Sequence, residues 1–292
     1  MIDLVLPKGS LEAQTLKLFE EADLPVRRGG DNDYNATIAD PRIGRVKILR
    51  PQEIPQYVQH GYFDLGIAGL DWIRETDSHV VEVMQLGGSG RETGATVKVV
   101  LAIPGDRPIK SAHDVPAGTR ISTEYPGLTR RYFEALGIPV EVLLSYGATE
   151  AKVPEIADAI VEVTETGSTL RRNGMRIIEV LLESTLKLIA NEAAWNDPAK
   201  RLAIDEVATL LGGVLAARGK VLIKMNVPGS SLQAIIDVLP SMKAPTISRL
   251  HNSDFYAVET VAVKSTINLL IPELKKRGAE DILELPITKI VA

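Results

Sequence analysis

Short apolar runs that stop at glycine or proline and lead into helical patterns recur through most of the chain. This alternation limits the fold more than any other feature. Ile2–Leu6 is apolar and ends at Pro7-Lys8-Gly9-Ser10; Ser10 suits the N-cap of a helical pattern from Leu11 to about Ala22, with Glu12 in its first turn. Val46–Leu49 reads as a strand, Ile54–His60 as a short helix, and Asp64-Leu-Gly-Ile-Ala-Gly-Leu-Asp71 as a strand entering a glycine turn. A second set begins at Val97–Ile103 and continues with Arg120–Pro126, a helix near Leu128–Leu136 and a strand at Val140–Leu144. Strands separated by helices predict α/β structure with a mostly parallel sheet. Further helical patterns cover about Leu181–Asn191 and Pro198–Arg218, which suggests a segment returning to the first lobe.

The grammar changes after Arg218-Gly219-Lys220. Lys220–Val227 reads as strand, Ser231–Leu239 as helix, Pro245–Leu250 and Tyr256–Val263 as strands, Ser265–Arg277 as helix and Asp281–Val291 as strand. The order is β-α-β-β-α-β, the split ferredoxin-like unit. Pro272 is expected either to kink the second helix or to mark its start. The 292 residues suffice for roughly two to three domains.

Composition removes several classes of function. A net charge of −5 disfavours a nucleic-acid protein, because phosphate backbones attract basic faces. The absence of cysteine excludes disulfides, thiolate catalysis and Cys-ligated metals. His60, His79, His113 and His251 lie too far apart for a histidine metal motif. The N-terminus lacks signal-peptide character, and no apolar run approaches the roughly 20 residues of a membrane helix, so a cytoplasmic protein with no membrane partner is expected.

The chemistry concentrates in Asp158-Ala-Ile-Val-Glu-Val-Thr-Glu-Thr-Gly-Ser-Thr-Leu170. Asp158–Val163 reads as a strand and Leu170–Asn173 as a helical turn, with Gly174 as its C′ residue. Between them, Thr166-Gly167-Ser168-Thr169 offers hydroxyls and closely spaced backbone N–H groups, an arrangement that suits an anion. Glu162 and Glu165 would repel a bare phosphate, but carboxylates accept hydrogen bonds from sugar hydroxyls and can help to hold Mg²⁺. The loop therefore reads either as a ribose-5-phosphate cradle or as an ordinary turn whose hydroxyls cap a helix.

That stretch resembles the phosphoribosyl-diphosphate loop of the ATP phosphoribosyltransferase family. Leu6-Pro-Lys-Gly-Ser-Leu11, Leu49-Arg-Pro-Gln-Glu-Ile-Pro55, Asp64–Asp71, Ile121-Ser-Thr-Glu-Tyr-Pro-Gly-Leu128 and Gly147-Ala-Thr-Glu150 resemble family motifs in the same order, and the tail is similar to the regulatory domain of the long form. The resemblance implies a two-lobed, periplasmic-binding-protein-like α/β catalytic part and an ACT-like ferredoxin-like tail. It places lobe I at 1–95 and 178–218, lobe II at 96–177 and the regulatory domain at 219–292. The implied reaction is pentosyl transfer. N1 of the ATP adenine attacks C1 of phosphoribosyl diphosphate, diphosphate leaves, and Mg²⁺ neutralises it. L-histidine is the implied inhibitor and a homo-hexamer the implied assembly, with a dimer possible without inhibitor.

Site roles follow the matching positions. Thr166, Gly167, Ser168 and Thr169 are expected to hold the 5-phosphate and Glu162 the ribose hydroxyls, with Asp158 as a further candidate at the start of the strand. Gly69 and Asp71 are candidates for the diphosphate or its metal. Tyr125 and Glu150 match positions near the nucleotide, and Lys8 and Arg50 are candidate phosphate cations. Ser10 stands where many family members carry Arg, and Pro154-Glu-Ile-Ala157 lacks the usual glycine. In the tail, Asn226, Met242, Thr246, Val261 and Asp281 match histidine-contacting positions. The metal ligands are not assigned. Two other readings compete: a two-lobed solute-binding or sensor protein, and a phosphoribosyltransferase acting on another base. The acid-plus-hydroxyl loop disfavours the first of these, the regulatory-type tail the second.

Overall fold

A computed structural model describes residues 1–30, 33–88, 96–240 and 244–291. The chain divides into two units, Met1–Ala208 and Thr209–Ala292.

The first unit opens with β1 (Ile2–Pro7), a 3-10 turn at Gly9–Leu11 and α1 (Glu12–Glu21). Ser10 lies inside that turn and does not cap the helix: Leu11 is the N-cap residue and makes no side-chain cap bond. Glu12 reaches back instead to accept from the Gly9 N–H at 3.3 Å. β2 (Asn35–Ala36), β3 (Ile43–Leu49), α2 (Ile54–Gln59), β4 (Leu65–Gly69), α3 (Leu70–Glu75) and β5 (Val81–Gly88) complete this half. The other half contains β6 (Val97–Pro104), β7 (Arg120–Thr123), α4 (Pro126–Leu136), β8 (Glu141–Leu144), β9 (Ala159–Thr164) and α5 (Ser168–Arg172). β10 (Met175–Ala190) and α6 (Glu192–Asn196) follow, and α7 (Pro198–Ala217) contains the division between the units.

The helix expected near Leu181–Asn191 is the second half of β10, a 16-residue strand. Leu, Glu and Lys favour helices, but Ser184, Leu186, Leu188 and Ala190 are buried at alternate positions, the period of a strand. Partners decide the outcome. Met175–Ser184 pairs with β6, and Leu186–Ala190 lies between β4 and β5. One strand thus serves both lobes. The pairing changes at Ser184–Thr185, six to seven residues beyond the expected boundary at 178. Around it the sheet runs β2-β3-β1-β4-β10-β6-β9-β7-β8. β1 is parallel to β3 and β4, and β7 is parallel to β8 and β9, while β10 and β6 run antiparallel to their neighbours. Apolar clusters line the two lobes: Val5, Ile54, Val58 and Ile73 in one, Val99, Leu101, Ile121 and Phe133 in the other.

The second unit contains β11 (Lys220–Pro228), α8 (Leu232–Ile236), β12 (Thr246–Arg249), β13 (Phe255–Val263), α9 (Ile267–Lys276) and β14 (Glu280–Pro286). Its antiparallel sheet has the order β12-β13-β11-β14, as a ferredoxin-like unit requires. Ile235, Ile267 and Leu274 from the helices cluster with Val221, Ile223, Met225 and Val258 of the sheet. Pro272 lies within α9 and does not start it. β14 stops at Pro286, short of the expected Val291; beyond it the Ile290 N–H donates to the Gly213 carbonyl of α7. No helix among the described residues is long and apolar enough to cross a membrane.

Candidate active site

A cleft of about 490 Å³ opens in the first unit, where α3, the start of α4 and the turn after β9 meet. Its lining includes Asp71, Trp72, Glu124, Tyr125, Glu150 and Glu162, the turn residues Thr164, Glu165, Thr166, Ser168 and Thr169, and Ser10, Pro51 and Gln52.

The turn is set by its own chemistry. Gly167 caps α5 with φ +71°, a left-handed conformation that favours glycine. An added Cβ there would also stand 3.0 Å from Arg171 Nη1 and Ile177 Cδ1. The Gly167 N–H donates to Thr164 Oγ1 at 2.8 Å, which closes the turn. α5 begins at Ser168, two residues before the expected helical turn, and Gly174 (φ +69°) follows it as expected. The Ser168 N–H likewise donates to Thr166 Oγ1 at 3.4 Å, and Thr164, Thr166, Ser168 and Thr169 all line the cleft.

β9 delivers Glu162. Ile160 belongs to the apolar cluster with Leu170 and Met175, and two residues on Glu162 takes the same side and reaches the cleft. Its Oε1 accepts from the Val163 N–H at 2.9 Å. Burial, aided by the nearby Glu124 and Glu150 charges, nevertheless raises the Glu162 carboxyl above its ordinary range.

Asp71 is held from three sides. The Tyr125 hydroxyl donates to Oδ2 at 2.9 Å, Ser184 Oγ donates to Oδ1 at 2.7 Å, and the Asp71 N–H donates back to Ser184 Oγ at 3.0 Å. Gly69 makes room for this arrangement: a Cβ on it would lie 2.1 Å from Asp71 Oδ1. The Tyr125 ring packs on Trp72 with centroids 4.7 Å apart, and burial pushes its phenol well above the usual tyrosine range. The Tyr125 ring thus has Trp72 beside it, and its hydroxyl is engaged by Asp71 at the edge of the cleft that both residues line. Glu75, at the end of α3, accepts from the Gly127 and Leu128 N–H groups at 2.9 and 2.8 Å and so ties α3 to the start of α4.

Other expected residues lie elsewhere. Asp158 sits at the far end of β9, where Arg120 Nε and Nη2 donate to its carboxylate at 3.1 and 2.9 Å and the Arg120 N–H adds a third bond. Lys8 stands over the Tyr34 ring, 4.3 Å from its centroid. Neither Lys8 nor Arg50 lines the cleft, and Gly69 and Gly167 shape its walls from behind. Glu124, Trp72 and Thr164 line the cleft and Ser184 bonds to Asp71, and none of the four is among the residues expected from the sequence. Glu124 and Thr164 adjoin residues that were singled out, and only the pairing of β10 could have revealed Ser184. Among the described residues the lining holds five carboxylates and no Lys or Arg, and no three acidic or His side chains converge as a ready metal cage.

In the second unit, Asn226, Thr246 and Val261 share the sheet face opposite Ile223, Val258 and the helices, by the β11–β13 and β12–β13 registers. Asn226 Nδ2 donates to Asp281 Oδ2 at 2.9 Å, so Asp281 joins them. Met242 lies outside the described residues.

The family profile of ATP phosphoribosyltransferase (HisG) matches residues 50–213, and that of the HisG C-terminal domain matches residues 217–289. The chain belongs to the ATP phosphoribosyltransferase family. The ATP phosphoribosyltransferase of Desulforudis audaxviator is 47% identical over 288 residues, covering 98% of each chain. ATP phosphoribosyltransferase 1 of Geobacter sulfurreducens is 46% identical over 292 residues, covering 100% of this chain and 99% of the relative. A solved ATP phosphoribosyl transferase (HisG:HisZ) complex from Thermotoga maritima has the same fold, with a TM-score of 0.62 and 23% identity; the match covers 72% of this chain and 98% of that one. Family members are pentosyltransferases of histidine biosynthesis, and the C-terminal match makes this chain a long-form member.

Proposed function

We propose that the cleft transfers the phosphoribosyl group of phosphoribosyl diphosphate to N1 of the ATP adenine, and that the Thr164–Thr169 turn and Glu162 divide the recognition of that group. The observation that carries this is one lining with two chemistries: hydroxyl side chains at Thr166, Ser168 and Thr169, and a carboxylate at Glu162 within the same cleft. The turn receives the 5-phosphate. Glu162 accepts from the ribose hydroxyls, which fixes C1 relative to the adenine. The adenine nitrogen is already a nucleophile, so alignment of the two substrates is the main task of the protein. Asp71, also in the lining, is the candidate for the diphosphate, with Oδ1 and Oδ2 held by Ser184 and Tyr125. Glu150 and Glu124 border the space left for the nucleotide.

Five carboxylates around two polyanions call for a counter-charge; Glu124, Glu150 and Glu165 of the lining would help to hold Mg²⁺, which would supply charge neutralisation for the diphosphate. The second unit is proposed to bind L-histidine at the Asn226–Asp281 side of its sheet, as a feedback inhibitor in a cytoplasmic homo-hexamer, with Lys8 and Arg50 left as candidate phosphate cations.

The test mixes the protein with ATP, phosphoribosyl diphosphate, Mg²⁺ and a diphosphatase and follows formation of phosphoribosyl-ATP by absorbance. Product is expected, and histidine should lower the rate without competing with ATP. A folded protein that makes no product under these conditions would overturn the reading.

A further inference from the structure

The joint between α3 and α4 contains bonds that the reaction as described does not use. α3 belongs to the lobe built on β1, β3 and β4, and α4 to the lobe built on β7, β8 and β9. Both reach the cleft: Asp71 and Trp72 near the start of α3, Glu124 and Tyr125 at the entry to α4. We propose that Glu75 is a positioning residue that caps α4 from the other lobe and so fixes Asp71 and Trp72 relative to Glu124 and Tyr125 for the transfer step. The proposal rests on the cleft as the site of that transfer.

The cap follows from the donors in the first turn of α4. Its N-cap residue, Tyr125, makes no side-chain cap bond, and Pro126 at the next position has no N–H. The Thr129 N–H already donates to the Tyr125 carbonyl at 3.0 Å, which leaves the amides of Gly127 and Leu128 without an intrahelical acceptor. Glu75 takes one on each oxygen, Oε1 from Gly127 at 2.9 Å and Oε2 from Leu128 at 2.8 Å. A carboxylate has the two acceptors this requires, and its charge suits a helix N-terminus. An ordinary cap comes from the residue that precedes the helix; this one stands 52 positions before Gly127 and on the other lobe. The same bonds close the start of α4 to a substrate phosphate.

Further contacts hold the two helices together. Arg131 Nη2 donates to the Glu75 carbonyl at 3.1 Å and also to the Arg74 carbonyl. Trp72 packs against the apolar cluster of Val99, Leu101, Tyr125 and Phe133 in the second lobe. Gly127 permits the close approach, because a Cβ on it would fall 2.6 Å from the Glu75 carbonyl oxygen and 3.2 Å from Glu75 Oε1. Space, not a positive φ, requires glycine at this helical position. With the Tyr125–Asp71 bond at 2.9 Å, these contacts make α3 and the start of α4 one block across the lobe boundary. Alignment of two bound substrates is the main demand of the reaction, and a block that carries four lining residues meets part of it.

Steady-state kinetics of the full-length protein, with rates taken per folded molecule, tests this. Glu75→Gln keeps the shape but turns one acceptor oxygen into a donor, so one α4 amide loses its partner. Its kcat should fall on the order of tenfold to a hundredfold, the cost of a small misalignment at a reacting centre. KM for phosphoribosyl diphosphate should stay within about threefold of the parent, because Glu162 and the Thr164–Thr169 turn lie on β9, α5 and the turn between them, outside this joint. Gly127→Ala should act alike, and the double variant should lose less than the product of the two effects, since both strain one joint. Arg42→Ala is the control for stability alone: it breaks pairs with Asp40 and Glu206 outside the cleft lining and should keep kcat within about twofold. A normal kcat in Glu75→Gln, beside a parent that makes product, would overturn the role of the cap and leave the cleft reading intact. A parent that makes no product would sink the cleft reading and the proposal with it. An equal loss of kcat in Arg42→Ala, or strictly multiplicative effects in the double variant, would make Glu75 a residue for stability only and also overturn the proposal. Should Glu75→Gln fail to fold, Arg131→Ala removes an exposed side chain that bridges the same helices, and a normal kcat there would be decisive against the joint.

Discussion

The Tyr125 hydroxyl donates to the Asp71 carboxylate at 2.9 Å, joining the start of α4 to α3 beside the point where β10 changes partners. Asp71 is 6% exposed and Tyr125 2%, so the bond has little water to replace it. Burial and the Asp71 charge keep the phenol protonated well above its usual range. Tyr125→Phe should therefore remove a donor from a buried carboxylate and cost about 1–3 kcal/mol of stability, measured by urea denaturation. Activity should fall with it. In the parent enzyme no alkaline limb from this phenol is expected below about pH 10. A stable, fully active Tyr125→Phe would show that Ser184 alone orients Asp71.

Gly69 is expected to be intolerant for a reason unrelated to backbone freedom. Its φ is −71°, open to any residue, but a Cβ would fall 2.1 Å from Asp71 Oδ1 and 3.6 Å from Ser184 Oγ. Gly69→Ala must push the carboxylate off its two donors, so the variant should lose activity as Tyr125→Phe does. The two effects should be less than additive in the double variant, because they act on one network. Strict additivity in thermal and kinetic measurements would separate Gly69 from Asp71.

The loop after β9 was legible because its signals are local: a strand, a glycine needing positive φ, and four hydroxyls within a few residues. The Asp71 network was not, because its members are 54 and 113 positions apart and meet only after the sheet forms. β10 hid that meeting. Leu182, Leu186 and Ile189 satisfy a helical spacing, while Ser184, Leu186, Leu188 and Ala190 satisfy a strand. Neighbours on both sides of β10 supplied the backbone partners that settled the choice. The element order of the ferredoxin-like tail was readable, since its two central strands, β11 and β13, alternate buried and less buried residues and its sheet packs helices on one face.

The pH dependence should report Glu162. Burial raises its carboxyl, helped by Glu124 and Glu150 and opposed by the Val163 donor. The ionised form is the better acceptor for sugar hydroxyls, so kcat/KM for phosphoribosyl diphosphate should fall as pH drops through the raised pKa. That acid limb should lie above the ordinary glutamate value of about 4.3. Glu162→Gln should flatten it. A limb that persists unchanged in Glu162→Gln would assign it to another group.

Asp158 should matter for stability and not for substrate. Its carboxylate accepts two side-chain bonds and one backbone bond from Arg120 at the end of β9 remote from the turn, and these hold its pKa below the ordinary aspartate value. A depressed pKa stabilises the fold above the unfolded value of about 3.9, and that contribution is lost as pH falls through the lower folded value. Both side chains are about one-third exposed, at 37% and 34%, so solvent weakens the pair to about 1 kcal/mol or less. Asp158→Asn should lower the midpoint of urea unfolding slightly at pH 7. The difference from the parent should shrink at pH values below the aspartate range, where the parent carboxylate also protonates. KM for phosphoribosyl diphosphate should stay within about twofold of the parent, since no lost contact reaches the cleft. A large, selective rise in that KM would return Asp158 to the substrate-binding set.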